Sequence, residues 1–173
     1  MMENNDENTY NIILFGSYYV GKSFLINRYI NHTFDYLRST DQNYKDITIR
    51  NQKIRLKLSE VKYQSFKHLE DYHFDKADGI FFVYDVTYRP SLTDLRKVIE
   101  GVDLYLNNIS KHCKILIGCK SDSYRAVTET QGRAFAEEFN IPYFETSAKN
   151  NTNVDAIFNF IANKILRNKE YQS

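Results

Sequence analysis

The sequence predicts an α/β domain: a three-layer, mostly parallel six-stranded sheet with one antiparallel edge hairpin and about five helices. Three observations carry that expectation. Strand-length apolar runs alternate with segments of helical periodicity along almost the whole chain. Two adjacent segments of strict apolar–polar alternation are joined by a short polar connection. A glycine-bearing turn separates the first apolar run from the first helical segment. At 173 residues, the chain can build one such domain with a full core.

The elements follow in order. The polar, acidic start, residues 1–8, reads as a disordered lead-in and resembles neither a signal nor a transit peptide. The domain spans 9–167, and 168–173 form a short tail. Tyr10 to Phe15 is a buried strand ending at Gly16, and Leu25, Ile26, Tyr29 and Ile30 recur at helical spacing behind it. Tyr44 to Arg50 and Lys53 to Leu58, with Asn51-Gln52 between them, make the hairpin. Gly79 to Tyr84 and Ile115 to Gly118 are nearly continuous apolar runs, as central strands covered on both faces should be. Pro90 opens a helix whose Leu92, Leu95, Val98, Ile99, Val102 and Leu106 share a face. Thr128 with Gln131 forms a capping box ahead of Ala134, Phe135 and Phe139. Pro142-Tyr143-Phe144 is a short last strand before an amphipathic helix through Val154, Ile157, Phe158, Ile161 and Ile165.

Composition narrows the function classes. The 23 Lys plus Arg nearly balance 22 Asp plus Glu, a net charge of +1, which argues against a broad nucleic-acid surface. No apolar run approaches the length needed to cross a bilayer. The two cysteines, Cys113 and Cys119, fit a reduced cytosolic protein. His32, His68, His73 and His112 show no metal-ligand spacing.

The motif with chemistry is Gly16-Ser17-Tyr18-Tyr19-Val20-Gly21-Lys22-Ser23, which fits G-x-x-x-x-G-K-[ST] between a strand and a helix. Gly16 and Gly21 permit backbone angles closed to other residues, so successive N–H groups can turn onto phosphate oxygens. The helix starting near Lys22 adds its positive dipole end. Lys22 brings a charge to the outer phosphates, and the Ser23 hydroxyl can ligate Mg²⁺. Two further motifs lie just beyond buried strands, where ligands of open α/β sheets gather: Cys119-Lys120-Ser121-Asp122 and Glu145-Thr146-Ser147-Ala148-Lys149.

With Val83-Tyr84-Asp85-Val86-Thr87 and the phosphate loop, these segments resemble the Ras superfamily of small GTPases, the Rab branch most closely, over roughly residues 9 to 167. The resemblance implies the small G-protein form of the P-loop NTPase fold, a guanine nucleotide and an Mg²⁺ cofactor. By it, Asp122 would accept from two guanine N–H groups, Lys120 would lay its stem along the base, and the Ala148 N–H would donate to the guanine carbonyl. Ser147 and Lys149 complete that motif, and Phe34 sits eleven residues after Ser23, where the family carries a ring that stacks on the base.

Four departures qualify the resemblance. Cys119 replaces an asparagine that contacts the base and braces the phosphate loop; losing such a bond costs about 0.5–1.5 kcal/mol. Tyr18 and Tyr19 stand where the family prefers small residues, Tyr18 at the place where bulk crowds the attacking water and an incoming arginine finger. Glu60-Val61-Lys62-Tyr63-Gln64 replaces Asp-Thr-Ala-Gly-Gln: Glu60 would reach a magnesium-bound water, and Gln64 would orient the attacking water. The first switch is shorter, so Thr40 is the candidate metal ligand, one place off the usual spacing, with Asp41 in the expected slot.

The resulting expectation is a Rab-like switch in membrane trafficking or signalling that binds GTP and GDP with Mg²⁺ and hydrolyses GTP slowly, with Gln64 and Lys22 as catalytic residues. The alternative is a non-hydrolysing pseudo-GTPase acting as a protein-interaction module. A small-molecule P-loop kinase would not explain the base-side motifs. Effector and exchange proteins would meet the switch face. Nucleic acid is not an expected partner. The sequence as given ends Asn168 to Ser173 without the cysteines that Rab relatives prenylate, so a cytoplasmic protein is expected, peripheral on an endomembrane only where a missing tail or a partner supplies the anchor.

Overall fold

The structure is a computed structural model that describes residues 8–35, 43–62, 74–106 and 113–170. The chain runs β1 (Thr9–Gly16), α1 (Lys22–Asn31), β2 (Tyr44–Ile49), β3 (Gln52–Lys62), β4 (Gly79–Asp85), α2 (Pro90–Thr93), α3 (Leu95–Tyr105), β5 (Cys113–Cys119), α4 (Glu129–Glu138), β6 (Tyr143–Glu145) and α5 (Val154–Glu170). A 3₁₀ turn, Phe74–Lys76, precedes β4. The six strands form one sheet in the order β2-β3-β1-β4-β5-β6, parallel throughout except for the β2–β3 edge pair.

Alternation along the strands sorts side chains into two cores, one on each face of the sheet. In β4, Phe81 and Val83 enter the core shared with Leu25, Ile26 and Tyr29 of α1 and Ile157, Phe158 and Ile161 of α5. Ile80, Phe82 and Tyr84 enter the opposite core with Leu95, Val98, Ile99 and Val102 of α3 and Phe135 of α4. The Tyr29 ring stacks on Phe158 at 3.9 Å between centroids, coupling α1 to α5. The three expected layers are present.

Local differences have local causes. The hairpin turns at Arg50-Asn51 rather than Asn51-Gln52, because both residues take positive φ (51° and 64°), the turn that matches strand twist. The strand expected to stop at Leu58 continues to Lys62, because its ladder with β1 runs on to pair Gly16 with Lys62. The helix opened by Pro90 is broken into α2 and α3 at Asp94, whose φ and ψ stay helical. The Thr128–Gln131 capping box forms as expected, and the buried face of α4 is Gly132, Phe135 and Ala136, leaving Ala134 outside.

Candidate functional site

β1 delivers the chain into a tight loop that must return at the start of α1, and each glycine serves a different need. Gly21 has φ 116°, the left-handed region, as expected. Gly16 corrects the expectation: its φ is not positive, and a Cβ there would run into the Val83 carbonyl oxygen on β4. Between them Tyr19 takes φ 63° and stands 89% exposed, Tyr18 is 42% exposed, and Val20 is buried in the core as the anchor of the loop. The two tyrosine rings lie 6.1 Å apart, and both are exposed.

Lys22 is 3% exposed, and its ammonium donates to the Gly16 and Ser17 carbonyls at 2.8 and 2.6 Å. An ammonium has three donors, so one remains for a ligand. Burial lowers its pKa to about 8; the Glu60 charge and the Cys119 side chain pull the other way, and Lys62 adds to the lowering. The Ser23 hydroxyl donates to Glu60 Oε2 at 2.5 Å, and Lys62 lies 3.5 Å from Glu60 Oε1. The rebuilt segment thus reaches the phosphate loop from the end of β3. Among the described residues no group of three His, Cys, Asp or Glu side chains gathers as a self-sufficient metal cage. The oxygens of Ser23 and Glu60 are the hard donors Mg²⁺ takes, and such an ion usually keeps waters and substrate phosphates as its other ligands. Thr40, Asp41, Tyr63 and Gln64 lie outside the described residues.

Beside the loop, a cavity of about 320 Å³ is lined by Gly21, Phe24, Phe34, Cys119, Lys120, Asp122, Ser123, Ala148 and Lys149. Phe24 and Phe34 pack at 4.9 Å between ring centroids. Lys120 lines the cavity with its ammonium tied to Asp85 Oδ2 at 2.5 Å. Asp85 in turn accepts from the Thr87 N–H and hydroxyl at 2.8 and 2.6 Å. Ser147 is buried, and its hydroxyl donates to Asp122 Oδ1 at 2.6 Å, leaving the other carboxylate oxygen for a ligand. Ser147 also accepts from the Asn150 N–H, which shapes the loop carrying Ala148 and Lys149. The structure therefore brings together the phosphate loop, Phe34 and both base-side motifs.

Cys119 braces by packing. Its sulfur accepts only a long bond from the Thr146 hydroxyl, 3.5 Å, and a Cβ on Gly21 would lie 3.2 Å from Cys119 Cβ. Burial pushes the thiol up to about 11, so it is neutral and neither it nor the buried Cys113 pairs in a disulfide.

Three residues escape sequence reading. Phe24 adds a second ring to the cavity. Arg28 donates to the carbonyls of Ala148 (2.6 Å), Lys149 (3.2 Å) and His32 (2.7 Å), tying the end of α1 to the base loop. Asn27 donates to Thr33 Oγ1 and the Asp35 carbonyl at 3.1 and 2.8 Å, pinning the segment that presents Phe34. The only available signal was their place on α1 within five positions of Ser23.

Comparison with known proteins agrees with this geometry. The family model described as "Ras family" matches residues 11–167. Similar proteins include Ras-related protein RABC1 of Arabidopsis thaliana, 36% identical over 91% of this chain and 77% of its own length. Ras-related protein SEC4 of Saccharomyces cerevisiae is 35% identical over 91% of this chain and 75% of its own. Ras-related protein RABD1 of Arabidopsis thaliana is 32% identical over 95% and 82%. A phosphate loop at the head of a six-stranded sheet, a base cavity at the neighbouring strand ends and a family match across both leave one assignment: the chain belongs to the Ras family, as a Rab-like small GTP-binding protein.

Proposed function

We propose that the chain is a trafficking switch that binds GTP and GDP with Mg²⁺ at this site and hydrolyses GTP slowly. The observation that carries the reading is the continuity of the two halves of the site. A cavity with a half-free carboxylate at Asp122 adjoins a loop whose buried Lys22 keeps one donor and whose Ser23 faces Glu60. Asp122 accepts from the guanine N–H groups, which adenine cannot supply. The Ala148 N–H donates to the guanine carbonyl, and the Lys120 stem and Phe34 hold the ring. Ser147 and Lys149 fix that loop, and Cys119 closes the floor against Gly21. The backbone of Gly16 to Gly21, with Tyr18, Tyr19 and Val20 between, wraps the phosphates. Ser23 holds Mg²⁺, with Thr40 as a second ligand and Glu60 behind it, and the bound ion neutralises phosphate charge.

Slow turnover follows from the same residues. Phosphoryl transfer depends on positioning and on charge stabilisation, here by Lys22 and by water held at Gln64. Tyr18 occupies the position where, by the family resemblance, bulk crowds the attacking water and an incoming arginine, and Tyr63 replaces the flexible glycine of the family motif. The pseudo-GTPase reading, an interaction module that binds partners through its switch face whatever its nucleotide state and turns over no GTP, draws on the altered Glu60 to Gln64 segment. Effector and exchange proteins are the partners of the switch face. No helix among the described residues is long and apolar enough to cross a membrane, so membrane attachment rests on a tail or a partner.

The test is to purify the protein, denature it, identify the released nucleotide, and follow single-turnover conversion of GTP with Mg²⁺ and with chelator. Recovery of GTP or GDP supports the reading. No bound guanine nucleotide and no measurable affinity overturn it. Binding without turnover selects the pseudo-GTPase, unless changing Tyr18 and Tyr63 to Gly restores conversion.

A further inference from the structure

Phe34, Ala148 and Lys149 line the base cavity, and Arg28 does not. Yet Arg28 is bonded to both of the segments that carry them. Its Nε donates to the Ala148 carbonyl at 2.6 Å and its Nη2 to the Lys149 carbonyl at 3.2 Å. Its Nη1 donates to the carbonyl of His32, two positions before Phe34, at 2.7 Å. His32 takes φ 60° and donates its N–H to the Arg28 carbonyl at 3.1 Å, so the turn leaving α1 is held by both the main chain and the side chain of Arg28. Among the described residues, every hydrogen bond of this guanidinium goes to a backbone carbonyl.

The bonds fall around one donor that the protein leaves unspent. Ser147 is fixed to Thr152 by a pair of backbone bonds at 3.1 and 2.9 Å, and its hydroxyl accepts from the Asn150 N–H at 3.0 Å. Between these anchors the Ala148 N–H makes no hydrogen bond among the described residues. Its direction follows the torsions on either side of the Ser147–Ala148 peptide: the Thr152 bridge holds one side, and the two bonds from Arg28 to the next carbonyls hold the other. Direction matters, because a hydrogen bond weakens steeply as its angle at the proton closes. A planar fork with N–H groups in fixed directions suits three separate carbonyls better than the compact ammonium of a lysine. We propose that Arg28 is a positioning residue for the ring carbonyl of guanine: it aims the Ala148 N–H at that oxygen and so contributes to selectivity for the base without touching it. The inference rests on the guanine-nucleotide reading of this cavity.

The experiment measures dissociation constants for GDP and for 6-thioguanosine diphosphate in the unaltered protein, Arg28→Ala and Arg28→Lys. The thio analogue keeps both N–H groups for Asp122 and replaces the carbonyl oxygen by sulfur, a weak acceptor. The amide proton resonance of Ala148 with GDP bound is recorded alongside. Arg28→Ala is expected to weaken GDP on the order of tenfold and the thio analogue less than about twofold. Arg28→Lys keeps the charge and loses the fork, so it is expected to follow Arg28→Ala, and in both variants the Ala148 resonance should move upfield as its bond lengthens. Equal losses for the two nucleotides would mark a merely structural role and overturn the proposal. Unchanged GDP affinity in Arg28→Ala, or full affinity in Arg28→Lys, overturns it as well, while leaving nucleotide binding intact. If the unaltered protein does not bind GDP, the guanine-nucleotide reading falls, and this inference with it.

Discussion

The base side and the phosphate-end side of this site are built differently. On the base side every presenting group is itself held: Asp122 by Ser147, Lys120 by Asp85, the Ala148–Lys149 backbone by Arg28, and the Phe34 segment by Asn27. At the phosphate end, one carboxylate, Glu60, is divided between Ser23 and Lys62, and two tyrosines of the loop stand exposed. Preorganised groups supply recognition, whereas hydrolysis needs the outer groups in a second, exact placement. In this chain the two requirements are written into different residues, so they can be perturbed separately.

The largest effect should come from the base side. Asp122→Ala removes the proposed acceptor for two guanine N–H groups and leaves the hydroxyl proton of Ser147, 1% exposed, without its acceptor. Guanine-nucleotide affinity should fall on the order of 100-fold or more, because unpaired groups on both partners are left behind. A titration with fluorescent GDP checks it. If Asp122→Ala binds within about threefold of the unaltered protein, the contrast between the two sides is wrong.

The next prediction separates architecture from ligand contact. Arg125 makes a bidentate pair with Glu145 at 2.7 and 2.5 Å; Tyr143 donates to Glu145 at 2.7 Å, and its hydroxyl meets that of Tyr84 at 2.8 Å. This network stands behind the Thr146–Lys149 loop. Partial burial tends to raise the Glu145 pKa, but the Arg125 and Tyr143 bonds outweigh it and hold the carboxyl below the ordinary range. A lowered carboxylate pKa contributes stability above the unfolded value, about 4.3, that is lost as pH falls through the folded one. Burial pushes Tyr84 up to about 12, so its contribution is full below pH of about 10 and disappears as pH climbs toward 12. Arg125→Ala should cost about 1–3 kcal/mol at pH 7 and flatten the acid limb of the melting profile below about pH 4.3. Thermal melts across pH read both changes, and an unchanged acid limb would show that Arg125 does not set the Glu145 titration.

Much of the fold was legible because its signals are local. Period-two alternation marked β3, continuous apolar runs marked β4 and β5, and Thr128 with Gln131 marked the start of α4. The base motifs and phosphate loop were legible because backbone geometry and ligand chemistry fix their spacing. What sequence missed depends on distance in space. Arg28 reaches Ala148 across 120 positions, and no pattern near Arg28 records it. Gly16 was expected to serve backbone freedom, yet the reason for it lies on β4, at Val83. The continuation of β3 past Leu58 was hidden because Ser59, Glu60 and Lys62 break the apolar pattern while the ladder with β1 carries on.

A smaller effect tests the seam between the two sides. Cys119 touches both, lining the base cavity and packing on Gly21 of the phosphate loop, but it makes only one long sulfur bond. Cys119→Asn supplies an amide able to bond base and loop together, and nucleotide affinity should rise about three- to tenfold through slower dissociation. Stopped-flow release of fluorescent GDP reads this directly. A faster release would mean that the larger amide displaces Gly21 instead of bracing it.

The smallest effect distinguishes two neighbours in one loop. Tyr19 takes φ 63° and is 89% exposed, so its side chain makes little use of a conformation that costs an L-residue about 1–2 kcal/mol. Tyr19→Gly relieves that strain but frees the unfolded chain, an opposing cost of up to about 1 kcal/mol. The difference leaves a stabilisation below about 1 kcal/mol, a rise of a few degrees at most in Tm for a domain of this size. Tyr18 is not among the described residues with positive φ, so Tyr18→Gly offers no such relief and should lower Tm slightly. Single-turnover GTP conversion should respond in the opposite order, rising in Tyr18→Gly, if bulk at that position crowds the attacking water as proposed, and staying unchanged in Tyr19→Gly. A common response of both variants in both assays would mean that the loop acts as one strained unit, and the phosphate end would then be limited by backbone conformation rather than by bulk at one position.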